Sequence, residues 1–404
     1  MDVGMRSSFN GHPQWVAVFF RALSGLCAVS NPTHGGITVN RVLAYCCPSF
    51  LRSLTMGFLG LIGGLLPAAD PLVFVSGSGP EIISFTLNGH GKLTELARVP
   101  GGRNPSFLAF SPDHQHLYAV NDSVGGGKVL SFAIDRSTGK LTKTGEGSMG
   151  MAGSACHLSV HPSGQWIFTA SYGSGHVTVL PVKADGSVGD AVDVQMAGKN
   201  AHQAVVNKNG SYLFVPTLGI DQVQVYHIDA ANGKLTLMTS VSLAKGAGPR
   251  HCALSHDEKI LYVINEYGNS VTTFRINGQQ FTDIGTVPTL PADFTAKNTC
   301  AHIVVSPNGK TLYGSNRGHN SLAIFRISDD GAKLTPVGYE TSGGDLKTPR
   351  NFALTPDGTL ALVASQTGDS ISILRIDPAT GLTTKIGTQV VECKPSFVGV
   401  LPTE

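Results

Sequence analysis

Residues 248–276 read GPRHCALSHDEKILYVINEYGNSVTTFRI. Three short apolar runs, centred near Cys252, Val263 and Phe274, are separated by the polar turns SHDEK and EYGN. Alternating apolar and polar residues between such turns are typical of antiparallel β-strands. The segment therefore predicts three consecutive strands joined by two tight turns.

The same pattern recurs along the chain on both sides of this segment. The matching lines are PSFLAFSPDHQHLYAVND (105–122), ACHLSVHPSGQWIFTASY (155–172), AHQAVVNKNGSYLFVPTL (201–218), AHIVVSPNGKTLYGSNR (301–317), PRNFALTPDGTLALVASQ (349–366) and KPSFVGVLP (394–402). Each of these lines except the last contains two strands and is followed by a third strand and by a fourth strand that begins with a sequence such as GKLT. The turns between the first two strands recur at intervals of about 46 to 51 residues. Four strands per unit at this period indicate the blades of a β-propeller.

The two ends of the repeat complete each other. The last unit stops after its first strand, whereas the first strands, PLVFVSG (71–77) and EIISFTL (81–87), have no strand in front of them. We therefore predict an all-β fold over residues 70–404, a seven-bladed propeller of four-stranded antiparallel blades. The C-terminal strand, residues 395–400, should pair beside residues 72–76 and close the ring, which leaves few exposed strand edges.

Residues 1–69 show no repeat and form a leader outside the propeller. Residues 54–69, LTMGFLGLIGGLLPAA, follow Arg52 and end in small residues, as the core and cleavage site of a secretory signal do. The run is too short for a stable membrane span, which needs about 20 apolar residues. If residues 52–69 are a signal read from a later start such as Met56, the protein is exported to the periplasm; otherwise it is cytoplasmic with a leader.

The composition limits the partners. The 404 residues are 14% charged with a formal net charge of +2, and they contain neither a long basic run nor an acidic tail. Nucleic acid is therefore excluded as a partner, and any anion must be held by a few local residues. The seven cysteines form no Cys-x-x-Cys pair, so we interpret them as buried thiols. We expect a monomer.

Two positions of the repeat stand out as polar. Six residues before the turn come Ser106, Cys156, His202, Arg250, Ala301, Arg350 and Ser396. Ten residues after the turn come Asp122, Tyr172, Leu218, Glu266, Arg317 and Gln366. Both positions lie at the same end of the two inner antiparallel strands, which surround the central channel of a propeller. We expect these side chains to line one channel mouth.

Arg250, Glu266 and Arg317 form the most informative group. Arginine suits bidentate recognition of carboxylate or phosphate, and a nearby glutamate can act as a general base. The alternative is an ion-pair network that only ties blades together. Four histidines, His202, His251, His302 and His319, fall near the same mouth, where each alone would more often serve packing but together they favour proton transfer beside an anion site.

The sequence predicts neither a metal nor a cofactor. It contains no Gly-x-Ser-x-Gly elbow, no P-loop and no His-Glu-x-x-His motif. His157 and His161 have helical ligand spacing, but they lie on a predicted strand, where four residues span about 13 Å. That separation is too large for one metal ion.

At these motifs the chain resembles the seven-bladed propeller lactonases of the 6-phosphogluconolactonase and carboxymuconate-cyclase type. The lines that carry the resemblance are residues 170–182, 248–276, 306–327 and 349–377, with Gly-Pro-Arg-His and Asn-Arg-Gly-His as the specific elements. The resemblance implies that His202, Arg250, Glu266 and Arg317 are catalytic. Two departures are Ala204, where the family often has a second histidine, and Thr217, which with Leu218 and Gly219 stands where the family often has Asp-Leu-Gly.

The leading hypothesis is metal-independent hydrolysis of a sugar lactone, with 6-phosphogluconolactone as the candidate. Glu266 would activate water, Arg250 and Arg317 would hold the anion and the developing oxyanion, and His202 would assist proton transfer. The expected substrate-binding residues are His251, His302, His319 and Arg350. Two alternatives stay open, which are a cycloisomerase acting on a carboxylated muconate and an exported, non-enzymatic propeller that binds a protein or glycan through its rim.

Overall fold

The computed structural model describes residues 70–121 and 126–403. Within these residues, seven four-stranded antiparallel sheets contact one another in sequence, and the last contacts the first. The predicted all-β, seven-bladed propeller is confirmed. The leader predicted for residues 1–69 lies outside the described part of the chain.

The strands are numbered in chain order, and each blade is numbered from the first. Blade 1 combines β1 (Leu72–Gly77), β2 (Glu81–Leu87) and β3 (Leu93–Pro100) with the C-terminal strand, which is the last of the 28. Blade 2 consists of β4 (Leu108–Phe110), β5 (His116–Asn121), β6 (Lys128–Ile134) and β7 (Leu141–Ser148), blade 3 of β8 (Ala155–Val160), β9 (Trp166–Ser171), β10 (His176–Pro181) and β11 (Asp193–Met196), and blade 4 of β12 (Val205–Val206), β13 (Tyr212–Thr217), β14 (Gln222–Asp229) and β15 (Lys234–Ser242). Blade 5 consists of β16 (Pro249–Leu254), β17 (Ile260–Asn265), β18 (Ser270–Asn277) and β19 (Gln280–Pro288), blade 6 of β20 (Thr299–Val305), β21 (Thr311–Arg317), β22 (Ser321–Ile327) and β23 (Leu334–Glu340), and blade 7 of β24 (Pro349–Leu354), β25 (Leu360–Ser365), β26 (Ser370–Ile376) and β27 (Thr383–Val390). The C-terminal strand of blade 1 is β28 (Pro395–Leu401). Short 3₁₀ turns occupy Leu218–Ile220, Ser342–Gly344 and Gln366–Gly368.

The C-terminal strand closes the ring as predicted. β28 pairs antiparallel with β1, from Leu72 opposite Leu401 to Gly77 opposite Pro395. It also contacts β24 of blade 7 and β4 of blade 2. Because β28 is the innermost strand of blade 1, this pairing places Ser396 beside the channel.

The hydrophobic core lies between neighbouring blades. One cluster joins Ile264 of blade 5 to Phe325 of blade 6, and another joins Val73 of blade 1 to Leu362 of blade 7. Complete burial of such a side chain stabilises the fold by about 1.5–3 kcal/mol. Packing between blades therefore fixes how far apart the inner strands stand around the channel.

A repeated tyrosine contact ties consecutive blades together at the end opposite the site. The hydroxyls of Tyr118, Tyr262 and Tyr313 donate to the carbonyl oxygens of Gly186, Gly331 and Gly381 in the next blade, at 3.1, 2.7 and 2.7 Å. Gly381 has φ +74°, and a Cβ there would come within 2.5 Å of Thr311 Oγ1. Glycine is required at that turn because the backbone is left-handed and the neighbouring blade is close.

The inner strands carry β-bulges at the end that leads to the site. In β16 the pairing passes from Pro249–Asn265 to His251–Ile264, so Arg250 is the extra residue. The same shift falls at Cys156 in β8 and at Arg350 in β24. A bulge interrupts the alternation of a strand and redirects side chains, so two consecutive residues can face the channel.

Candidate active site

A narrow pocket at one mouth of the channel is lined by residues of six blades. The lining residues are Ser106, Phe107, Cys156, His202, Arg250, His251, Arg350, Asn351 and Ser396. They include six of the seven residues that precede the turn by six positions; Ala301 is the exception, and its carbonyl oxygen contacts the site instead. The repeat register therefore brings these side chains together, as the sequence predicts.

Glu266 stands between two guanidinium groups beside this pocket. Its Oε2 lies 2.9 Å from Nε of Arg250, and its Oε1 lies 2.9 Å from Nη2 of Arg317. The Arg250 side chain is 2% exposed, whereas those of Glu266 and Arg317 are each 14% exposed. The carboxylate and Arg317 are therefore the members of this group that keep some access to the channel mouth.

Backbone carbonyl groups hold the two arginines in place. Nη1 of Arg250 donates to the carbonyl oxygen of Ala301 at 2.6 Å, and Nη2 of Arg317 donates to that of Cys300 at 2.8 Å. Both acceptors belong to β20. One inner strand thus orients guanidinium groups from two blades toward the same carboxylate.

The site has an excess of positive charge. Arg250, Arg317 and Arg350 lie in or beside the pocket, and among the residues that the structure describes the one carboxylate in contact with these arginines is that of Glu266. Burial, then the charge of Arg317, lowers the pKa of Arg250, an effect that the Glu266 carboxylate opposes. Because the guanidinium group stays protonated in proteins, the local charge favours an anionic ligand.

Three histidines form a connected chain next to Arg250. Nδ1 of His251 lies 2.8 Å from Nδ1 of His302, and Nε2 of His251 lies 3.2 Å from Nδ1 of His202. Nη1 of Arg250 approaches the same Nε2 at 3.4 Å. A fourth ring, that of His157, packs on Phe107 with ring centroids 4.1 Å apart. The chain connects blades 4, 5 and 6 across the channel.

Burial keeps these imidazoles neutral. It lowers the pKa of His202 and His251 well below the usual value, and the charge of Arg250 lowers both further. Burial, with the same arginine, lowers the pKa of His302 to about 3. His157 shifts in the same direction, through burial first and then His302 and Arg250. At neutral pH each ring therefore has one nitrogen that donates a hydrogen bond and one that accepts.

The comparison with known families identifies this arrangement. The sequence profile of the family described as "Lactonase, 7-bladed beta-propeller" matches residues 73–400. The chain belongs to this lactonase family. The match spans all seven blades of the propeller.

Several similar proteins are bacterial. A 6-phosphogluconolactonase of Serratia proteamaculans is 33% identical over 316 residues, which cover 77% of this chain and 92% of the relative. One from Pectobacterium atrosepticum is 32% identical and covers 80% of this chain and 95% of the relative. Among solved structures, the periplasmic gluconolactonase of Pseudomonas aeruginosa superposes with a TM-score of 0.77 at 27% identity, covering 83% of this chain and 99% of that one.

Not all predicted site residues meet in this pocket. His319 lies on the turn after β21, where its Nδ1 bonds to Ser321 Oγ at 2.7 Å and its ring packs between Phe294 and Tyr339. No contact joins it to the histidine chain within the described residues. Arg350, by contrast, lines the pocket and is half-buried.

Sequence reasoning missed part of the pocket. Phe107 and Asn351 line it, and both come one residue after the register position that the sequence singles out. His157 holds the same position in blade 3 and is buried beside the channel. The missed signal is this second position, because the bulges direct two consecutive side chains inward. Tyr172 and Tyr267 on the rim, 38% and 51% exposed, were assigned no role.

The structure also locates the cysteines and the histidine pair considered for a metal. Cys156, Cys252, Cys300 and Cys393 are buried, while the other three cysteines lie outside the described residues. Nδ1 of His157 accepts from the backbone N–H of Ala204 at 3.3 Å, whereas His161 bonds to the turn at Gly210. In the part of the chain that the structure describes, no three His, Cys, Asp or Glu residues are grouped as metal ligands, and no helix is long and apolar enough to cross a membrane.

The neutral histidines predict acid sensitivity of the fold. Their pKa values are lower in the folded protein than the ordinary 6.5 of the unfolded chain. The unfolded state therefore binds more protons below pH 6.5, so this contribution is complete above that pH and is lost as the pH falls toward the folded pKa values. Each such histidine should cost about 2 kcal/mol of unfolding free energy between pH 6.5 and pH 5.

Denaturant unfolding at pH 7.5, 6 and 5 measures this effect. The unfolding free energy that wild type loses between pH 7.5 and pH 5 should be smaller in His302→Asn by about 2 kcal/mol, the contribution of one histidine. His90→Asn, a substitution on the exposed surface, should lose as much as wild type. Equal losses in wild type and in both variants would contradict the assignment of neutral buried imidazoles.

Proposed function

We propose that the protein hydrolyses a sugar lactone at this channel mouth, with 6-phosphogluconolactone as the substrate. The observation that carries the proposal is the carboxylate of Glu266 held 2.9 Å from each of two arginines, beside a neutral histidine and a pocket with excess positive charge. Membership of a lactonase family and two relatives named 6-phosphogluconolactonase support the reaction and the substrate.

Each residue has one role in the proposed reaction. Glu266 accepts a proton from water as the water oxygen bonds to the lactone carbonyl carbon. The carbonyl oxygen becomes an oxyanion, which Arg317 and Arg250 stabilise electrostatically. When the bond from this carbon to the ring oxygen breaks, the proton on Glu266 passes to the ring oxygen. The new carboxylic acid then releases the second water proton, a transfer that His202 assists.

Arginine also accounts for the choice of a phosphorylated substrate. Arg350 lines the same pocket from the inner strand of blade 7. A phosphate group can accept paired hydrogen bonds from such a guanidinium group. We propose that the reaction needs no metal ion, because arginine side chains supply the positive charge that the oxyanion requires.

A substrate panel with the full-length protein tests this proposal. We expect hydrolysis of 6-phosphogluconolactone above its spontaneous rate and kcat/KM at least about tenfold higher than for gluconolactone, because charged hydrogen bonds contribute about 1.5–3 kcal/mol each. Activity should survive EDTA. A carboxylated muconate, offered in parallel, should not react.

The outcomes separate the alternatives. Conversion of the muconate without lactone hydrolysis would assign the same arginines to a cycloisomerase. Loss of hydrolysis on chelation, restored by calcium or zinc, would overturn the metal-independent mechanism. Absence of turnover on every substrate, with unchanged binding after substitution of the mouth residues, would favour a binding module that uses its rim.

A further inference from the structure

We propose that Arg250, His251 and His302 fix the tautomer of His202, so that His202 presents an unprotonated Nε2 to the pocket. His251 and His302 would then be positioning residues that act through His202. The role of Nε2 in the reaction rests on the proposed lactone hydrolysis, whereas the order of protons along the chain rests only on the contacts.

The order of protons begins at Arg250, whose guanidinium group can only donate hydrogen bonds. Nη1 of Arg250 has two hydrogens; one points to the carbonyl oxygen of Ala301 at 2.6 Å, and the other reaches Nε2 of His251 at 3.4 Å. Nε2 of His251 must therefore be the acceptor. Since a neutral imidazole carries one proton, the proton of His251 is on Nδ1.

The next contact follows from that assignment. Nδ1 of His251 lies 2.8 Å from Nδ1 of His302, so it donates and His302 accepts. His302 then carries its own proton on Nε2. The reverse order would put the proton of His251 on Nε2, facing the Arg250 donor. One arginine therefore selects the direction of the whole chain.

His202 is fixed by the same acceptor. Its Nδ1 lies 3.2 Å from Nε2 of His251, whose single lone pair it shares with the more distant Arg250, so a favourable contact requires the proton of His202 on Nδ1. The thiol of Cys156 lies 3.2 Å from the carbonyl oxygen of His202 and 3.7 Å from its Nδ1; donation to the nearer carbonyl oxygen leaves Nδ1 as the donor. The lone pair of His202 is thus on Nε2, to which no protein atom of the described residues bonds.

An unprotonated Nε2 gives His202 a defined task. Attacking water has two hydrogens, and the proposed mechanism transfers only one of them to Glu266. The second O–H can donate to Nε2 of His202, which orients the water lone pair toward the lactone carbonyl carbon. The same nitrogen can accept the proton that the product acid releases, so both water protons have a destination. With the opposite tautomer, Nε2–H would oppose this water orientation.

Two substitutions of similar size at His302 test the chain through activity. In His302→Asn, the amide oxygen can occupy the place of Nδ1 and accept from His251, whereas His302→Leu has nearly the same shape and no acceptor. We expect kcat within about threefold of wild type for Asn and about tenfold or more lower for Leu, with KM unchanged in both. Equal kcat values for Asn and Leu would show that His302 only packs, and would overturn the inference.

Nitrogen NMR of ¹⁵N-histidine protein observes the tautomers directly, since protonated and unprotonated ring nitrogens resonate far apart. Signals can be assigned with His202→Gln, His251→Gln and His302→Asn. We expect protons on Nδ1 of His202, Nδ1 of His251 and Nε2 of His302. A proton on Nε2 of His202 in active enzyme would overturn the inference and leave the function standing. The expected tautomers in a protein that hydrolyses no lactone would overturn the function and leave the proton order standing.

Discussion

Glu266→Gln should lower kcat for 6-phosphogluconolactone by about 10²- to 10⁴-fold, with a much smaller change in KM. Glutamine keeps the shape of the side chain but cannot accept a proton from water. The amide oxygen can accept from one of the two arginines, whereas the amide NH2 can only donate, so the other guanidinium group loses this acceptor. The measurement is initial-rate kinetics on protein whose circular dichroism spectrum matches the wild type.

The same substitution should also weaken the fold. It removes the carboxylate that contacts Arg250 and Arg317 and leaves these two arginines without a counter-charge among the described residues, which costs about 3–5 kcal/mol of unfolding free energy. Glu146 is a matched control because it too contacts two cations, Lys128 and Lys143, but its side chain is 41% exposed on the surface. Glu146→Gln should change neither activity nor stability measurably. Full activity of folded Glu266→Gln would reduce the cluster to a structural ion-pair network.

Arg250→Met should abolish most activity while changing the unfolding free energy by less than about 1.5 kcal/mol. Burial and the charges of Arg317 and Arg350 lower the pKa of Arg250, whereas Glu266 and, less strongly, Cys156 raise it. A methionine of similar length relieves that cost and still leaves Glu266 paired with Arg317. The loss in kcat/KM should exceed about 100-fold, because the oxyanion contact and the order of the histidine chain both disappear.

This pattern separates a functional site from a structural one. If the ion pair served only stability, removing Arg250 would lower the free energy of unfolding by about 3–5 kcal/mol. Arg98→Met serves as control, since Arg98 pairs with Glu95 and Glu81 on the surface and lies away from the channel. A large stability loss in Arg250→Met, together with retained turnover, would contradict the proposed role of the arginine.

The repeat made the fold and most of the site predictable. Turn chemistry and strand alternation recur in every unit, so the number of blades and the pairing of β28 with β1 follow from counting. The register position that holds Arg250 and His202 lies at one end of each inner strand, so these residues meet whatever the details of packing. This part of the site depends on topology alone.

Other features depend on local geometry that sequence patterns do not encode. The bulges at Cys156, Arg250 and Arg350 break the alternation, and the one at Arg350 accompanies the entry of Asn351 into the pocket; Phe107 lines it from the segment just before β4. The departure of His319 toward Phe294 and Tyr339 follows from the turn after β21. The proton order of the histidine chain depends on distances between three blades, which interblade packing sets and no single strand determines.

The most direct test of the central claim is a crystal structure of Glu266→Gln protein exposed to 6-phosphogluconolactone. The account predicts intact lactone at the channel mouth, with its phosphate on Arg350, its carbonyl oxygen toward Arg317 and its carbonyl carbon within reach of a water held by His202. Lactone bound instead in the outer groove between blades 4 and 5, which Tyr212, Leu254 and Phe281 line, would contradict it.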